Sequence, residues 1–185
     1  MSNMKTEWFD VVDSNDQVVD RMARAEVHQR GMLHRAVHIF VFNSKGELFL
    51  QQRSMSKDTA PGKWVSSCSG HVDSGEDYDQ AARRELMEEI GLAWPSNTRR
   101  LFKVPPSPAT GYEFVWLYRC EYDGPLHLDP KEIQAGEWFT GEAITAWMLD
   151  RPRDFAWSFV HMWRRFATTV RTSGDACQQT EGQNT

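Results

Sequence analysis

The segment from Gly70 to Leu92, GHVDSGEDYDQAARRELMEEIGL, limits what this chain can fold into more than any other stretch. A turn-rich opening leads into a helical run that carries Glu85, Glu88 and Glu89. Residues at i, i+3 and i+4 share one helix surface, so the three carboxylates converge. Exposed like charges at this spacing repel by a few tenths of a kcal/mol per pair. A positive partner must offset that cost, and an all-oxygen cluster suits a hard divalent cation such as Mg²⁺ or Mn²⁺. Ala82, Leu86 and Ile90 form an apolar stripe about a quarter turn away, so one face packs on a sheet while the other looks into a cleft. Ser74 with Asp77 three residues later resembles a capping box and predicts a helix start near Gly75, and Gly91 is the expected stop.

The flanking sequence reads as short strands and turns. Thr6–Val12 and Gln17–Val19 flank the turn cluster Asp13-Ser14-Asn15-Asp16, which predicts a hairpin, and a weak pattern over Arg21–Arg30 leaves short helix and irregular crossover both open. His34–Phe42 and Glu47–Arg53 are joined by Asn43-Ser44-Lys45-Gly46, a second hairpin signal. A loop with Pro61-Gly62 precedes a short strand around Trp64–Ser69. After the central helix come strands over Arg99–Val104, Gly111–Tyr122 and Gly136–Phe139, interrupted by the stiff Pro105-Pro106-Ser107-Pro108. Thr140 is placed to cap a helix over Glu142–Leu149, and Phe155–Val170 reads as an aromatic-rich helix. The polar residues 171–185 lack periodicity and are expected to be disordered. This order of elements implies an α/β or α+β sandwich around a mixed sheet.

Composition narrows the function classes. The 185 residues suffice for one domain of ordinary size with decorations. A net charge of -5 and the absence of a Lys/Arg block argue against a nucleic-acid polymer as partner. No apolar run approaches membrane-spanning length. Cys68, Cys120 and Cys177 show no metal-ligand spacing, and with no signal peptide at the polar N-terminus the expected compartment is the cytoplasm.

The pattern Gly70-x5-Glu76-x7-Arg84-Glu85-Leu86-x-Glu88-Glu89-x-Gly91-Leu92 resembles the Nudix box at every position. By ordinary residue frequencies a chance match arises roughly once in a billion starting positions, which sets aside the plainer reading of a solvated charged helix. The resemblance implies an α/β/α sandwich over residues 34–170, with residues 1–33 as an N-terminal extension. It implies Mg²⁺- or Mn²⁺-dependent hydrolysis of a small-molecule diphosphate, and a homodimer is a common arrangement in the superfamily. Carried onto this chain, Glu85, Glu88, Glu89 and the Gly70 carbonyl hold the metal, while Glu76 takes part through water. Arg84 orients a carboxylate. Glu85 is the first choice of base, with Glu132 and Glu137 as alternatives from later loops. Arg53, Lys57 and Lys63 are candidate diphosphate clamps, and a solvated surface role stands beside each.

Flanking residues resemble one branch of that superfamily, the type 1 isopentenyl-diphosphate isomerases. His34, His71 and Glu113 fall where that branch has two histidines and a strand glutamate, which implies a second metal-binding or proton-transfer role for them. The reactive cysteine position, however, is Ser69, and neighbouring Cys68 points to the opposite face of a strand. Gly111 stands where another glutamate belongs, and His28 is out of step by one. A serine hydroxyl is a poor substitute for a thiol in proton transfer. The residues thus favour a Nudix hydrolase of the isomerase-like subgroup over an isomerase, and over a non-catalytic nucleotide-binding domain, since binding alone does not require the whole carboxylate cluster. Trp116, Trp138, Trp147, Trp157 and Trp163 are expected in the core or stacked on a substrate.

Overall fold

The computed structural model describes residues 6–180, and side chains through residue 169. Its centre is β3 (His34–Phe42), whose run HRAVHIFVF is apolar on both faces because both are covered. Val37, Ile39 and Val41 point toward one core cluster, and Ala36, Phe40 and Phe42 toward another. β3 runs parallel to β8 (Glu113–Glu121) with His34 opposite Glu113, and β7 (Arg99–Val104) pairs beyond it. On its other side β3 takes β6 (Cys68–His71), antiparallel, with Ser69 opposite His38 and His71 opposite Ala36. The expected mixed sheet is therefore present, with seven strands in total.

The second hairpin closes and then opens. β3 and β4 (Leu48–Arg53) share only the pair Phe42 and Leu48. Beyond it, β4 turns to β9 (Ile133–Phe139) and to β5 (Trp64–Val65). The buried Ser67 hydroxyl sits at the fork, accepting from the Val41 amide at 2.8 Å and donating to the Phe49 carbonyl at 2.6 Å. One side chain thus satisfies a donor and an acceptor that the ladder no longer serves. The opened sheet leaves room for the cleft described below.

α2 (Tyr78–Ile90) covers one face of the sheet and buries Ala82, Leu86 and Ile90, as its apolar stripe requires. It starts later than the expected position near Gly75. Ser74 is already engaged, its hydroxyl donating to Asp10 at 2.7 Å, and Gly75 lies at φ +88. Asp77 caps the helix instead, in a reciprocal capping box with Gln80. The opposite face is covered by α3 (Gly141–Asp150), capped by Thr140 as expected, and by α4 (Trp157–Thr180). The helical backbone of α4 thus continues through residues 171–180, past the expected end near Val170, while residues 181–185 lie outside the described residues.

The extension forms its own small unit. β1 (Trp8–Val12) and β2 (Val18–Ala23) pair antiparallel, and α1 (Arg24–Arg30) follows without a crossover loop. Phe9, Val11, Met22 and Val27 make its core. The Asp16 carboxylate ties it to the sheet, accepting from Arg35 Nε at 2.6 Å, from the Tyr78 hydroxyl at 2.9 Å and from the Lys103 ammonium. Among the described residues no helix is long and apolar enough to cross a membrane.

Candidate active site

α2 places its carboxylates in a gradient of exposure. Glu89 is buried at 5% exposure, the Glu85 side chain is 12% exposed and Glu88 is 61% exposed. Arg84 neutralises part of this charge. It grips Glu76 with two hydrogen bonds of 2.9 Å, reaches Glu85 at 2.6 Å and Glu88 at 3.2 Å, and donates to the His71 carbonyl at 3.0 Å. Three carboxylates thus share one guanidinium. Glu89 is held by Gln51 at 2.8 Å and by the Ser69 amide at 3.2 Å. Burial, then repulsion from Glu89, pushes the Glu85 carboxyl up, and burial pushes up Glu89. Glu85 shares the Arg84 guanidinium with Glu76 and Glu88, whereas Glu89 is held by neutral donors.

Gly70 explains how Glu85 reaches its place. A Cβ at Gly70 would stand 2.1 Å from Glu85 Cδ and Oε1, so the carboxylate rests directly against the strand backbone. Here glycine is required for close approach rather than for an unusual φ. Cys68 Sγ, Glu85 and Glu89 offer ligand atoms within 4.8 Å of one another. The donor set and the cradle at Gly70 fit a divalent cation at this position.

A second cluster lies on the other face of β3 and β6. His28, His34, His71 and Glu113 offer ligand atoms within 4.8 Å of one another. His71 Nε2 is 3.0 Å from Glu113 Oε1. His34 is 1% exposed, and its Nδ1 donates to the Met32 carbonyl at 2.9 Å. Its Nε2 has no hydrogen-bond partner although it stands 3.4 Å from Glu113 Oε1. Burial pushes the Glu113 carboxyl up, but the imidazoles of His34 and His71 outweigh it and hold the group well below the usual range. Burial, with His71 and His34 alongside, depresses His28 to about 4. Phe9 roofs the cluster, its ring 4.6 Å from that of His71 and 5.6 Å from that of His34.

Both clusters open into one cleft of about 880 Å³. Arg53, Lys57 and Glu132 line it, and the Lys57 ammonium is paired with Glu132. Lys63 does not reach it, because its ammonium donates to the Arg153 carbonyl. Glu137 sits exposed on β9, opposite Leu50, and also does not line the cleft. Trp157 lines the cleft at 62% exposure, whereas Trp147 and Trp163 pack beside α3 and α4, and Trp116 and Trp138 pack against the α2-side core. Cys68 and Ser69 face opposite sides of β6, as alternation requires, with Cys68 in the α2-side core. His28 is the residue sequence spacing missed, because α1 delivers it from outside the central fold.

The NUDIX domain family model matches residues 32–160. The chain belongs to the Nudix family. It is an enzyme of the Nudix hydrolase type. An isopentenyl-diphosphate Delta-isomerase of Serratia proteamaculans is 32% identical over 173 residues, covering 86% of this chain and 97% of its own. A Nudix hydrolase of Deinococcus radiodurans is 34% identical over 151 residues, covering 79% of this chain and 86% of its own. The crystal structure of DR0079 from Deinococcus radiodurans matches with a TM-score of 0.78 at 31% identity, covering 86% of this Nudix chain and 98% of that one.

Proposed function

We propose that this Nudix enzyme is a divalent-metal-dependent pyrophosphohydrolase, cleaving the diphosphate of a nucleoside diphosphate derivative or a related organic diphosphate. The observation that supports it is the gathering of Glu85, Glu88 and Glu89 on one face of α2, braced by Arg84 and seated against Gly70. Glu85 and Glu89, with Glu88 at the rim, would hold Mg²⁺ or Mn²⁺, which supplies charge neutralisation and an acidified water when bound. Arg84 fixes the carboxylates it touches, so they need no reorganisation as charge develops. Arg53 and Lys57 line the same cleft and offer positive charge to the diphosphate. Glu85 lines the cleft within the carboxylate cluster and is the preferred proton acceptor. Glu132 is engaged with Lys57, and Glu137 lies outside the cleft.

The isomerase reading has one observation in its favour, the histidine and glutamate cluster with the unpartnered His34 Nε2. It lacks a thiol there, because Ser69 occupies the position facing that side and Cys68 faces α2. A panel of organic diphosphates with Mg²⁺ or Mn²⁺ tests the two together. Hydrolysis is expected to release phosphate-containing products and to be lost in Glu89→Gln. Conversion of isopentenyl diphosphate to its dimethylallyl isomer with the diphosphate intact would replace this reading with the other.

A further inference from the structure

We infer that Cys68 is a ligand of the α2-side metal centre, giving Glu85 and Glu89 a sulfur partner and making the centre receptive to thiophilic divalent cations such as Co²⁺, Zn²⁺ and Cd²⁺. The inference rests on the reading that Glu85 and Glu89 hold a cation, and it adds to that reading a donor outside the Gly70–Leu92 segment.

Three observations carry it. The Cys68 sulfur and carboxylate oxygens of Glu85 and Glu89 lie within 4.8 Å of one another. In a tetrahedral site with metal–sulfur and metal–oxygen bonds of about 2.3 and 2.1 Å, ligand atoms stand roughly 3.5 Å apart. Small side-chain adjustments therefore bring the trio to bonding distance. Next, β6 aims Cys68 toward α2, and the residue is fully buried, so the sulfur is held at the centre. Last, Gly70 lets Glu85 lie against β6 itself, which keeps its carboxylate close to the strand that carries Cys68.

Coordination exchanges a proton for a metal bond. On metal binding the Cys68 S–H bond would break, a sulfur–metal bond would form, and the proton would pass to water. A thiolate selects Zn²⁺ and similar ions, whereas carboxylates alone suit Mg²⁺ and Mn²⁺. The histidine cluster contains no sulfur, so occupation of that site cannot produce a thiolate signal.

Titration of the full chain with Co²⁺ tests the inference. The expected result is a near-ultraviolet thiolate-to-cobalt charge-transfer band. It should disappear in Cys68→Ser and persist in Cys120→Ser and Cys177→Ser. Cadmium NMR of the parent protein reads sulfur ligation directly and does not depend on how well Cys68→Ser folds. In Cys68→Ser, Cd²⁺ affinity should fall roughly tenfold or more, with a much smaller change for Mg²⁺. If Glu89→Gln lowers Co²⁺ stoichiometry but the parent shows neither the band nor a sulfur-shifted cadmium resonance, the carboxylate centre stands and Cys68 is not its ligand. If Glu85→Gln and Glu89→Gln both bind as much Co²⁺ as the parent and no band forms, the centre itself is misassigned and the inference falls with it.

Discussion

Replacing Gly70 with alanine should separate catalysis from folding. The new Cβ would stand 2.1 Å from Glu85 Cδ and Oε1 and 2.5 Å from Oε2, where real contacts stay above 3.0 Å. Moving the nearest atom from 2.1 to 3.0 Å displaces the carboxylate by about 0.9 Å. A misplacement of about 1 Å at a reacting centre costs on the order of 100-fold in rate, or about 2.7 kcal/mol of transition-state stabilisation. The folding cost is far smaller. The obstructing atoms are the far end of a flexible side chain, so the protein yields by rotating Glu85 at about 1 kcal/mol. Alanine recovers a similar amount through lower chain entropy in the unfolded state. Gly70→Ala should therefore keep the parental thermal midpoint within a few degrees. In a phosphate-release assay across Mg²⁺ concentrations it should lose about 100-fold in kcat/KM and need more metal for half-maximal rate. Parental turnover at parental Mg²⁺ concentration would show that Glu85 does not work from the position against Gly70.

Three further outcomes follow from named contacts. Leu86→Ala removes a fully buried side chain from the α2–sheet core and should cost about 2–5 kcal/mol in urea denaturation, with an unchanged m-value. Asp77→Ala removes the cap of α2, which should cost about 1 kcal/mol by the same measurement. His38 is 4% exposed, bonded to the Ser66 hydroxyl, and depressed by burial to about 4 from 6.5. Because the unfolded chain takes up that proton first, its contribution is complete above pH 6.5 and is lost as the pH falls toward 4. The loss is on the order of 3 kcal/mol. Denaturation midpoints of the parent should fall across that window, and those of His38→Gln should fall less.

What the sequence disclosed was local. Glu85, Glu88 and Glu89 needed only helical spacing to converge, and Ala82, Leu86 and Ile90 only the same period to be buried. His34 and Glu113 were visible as members of separate strands, and β3 and β8 set them side by side in parallel register. His28 was hidden because the register of β1 against β2 and the start of α1 place it, and no spacing along the chain encodes that. The helix start was misread because Ser74 found a longer-range partner in Asp10, while Asp77 and Gln80 supplied the local cap. Lys63 was misplaced for a related reason: proximity in sequence to the cleft loop says nothing about which carbonyl the ammonium meets.

The opening of the β3–β4 hairpin gives these scattered facts one cause. Had β4 stayed paired with β3, β6 would have had no edge to join. β6 carries Cys68 toward the α2 carboxylates and Ser69 and His71 toward the other side, so this one short strand contributes to both clusters. Its position depends on Ser67, whose hydroxyl satisfies the Val41 amide and the Phe49 carbonyl where the hairpin parts. A buried amide or carbonyl left without a partner costs about 1–3 kcal/mol, so Ser67 makes the fork tolerable inside a fully buried core. The acidic helix gathers its carboxylates on one face, and the fork beside it leaves the cleft open between them and the histidine cluster.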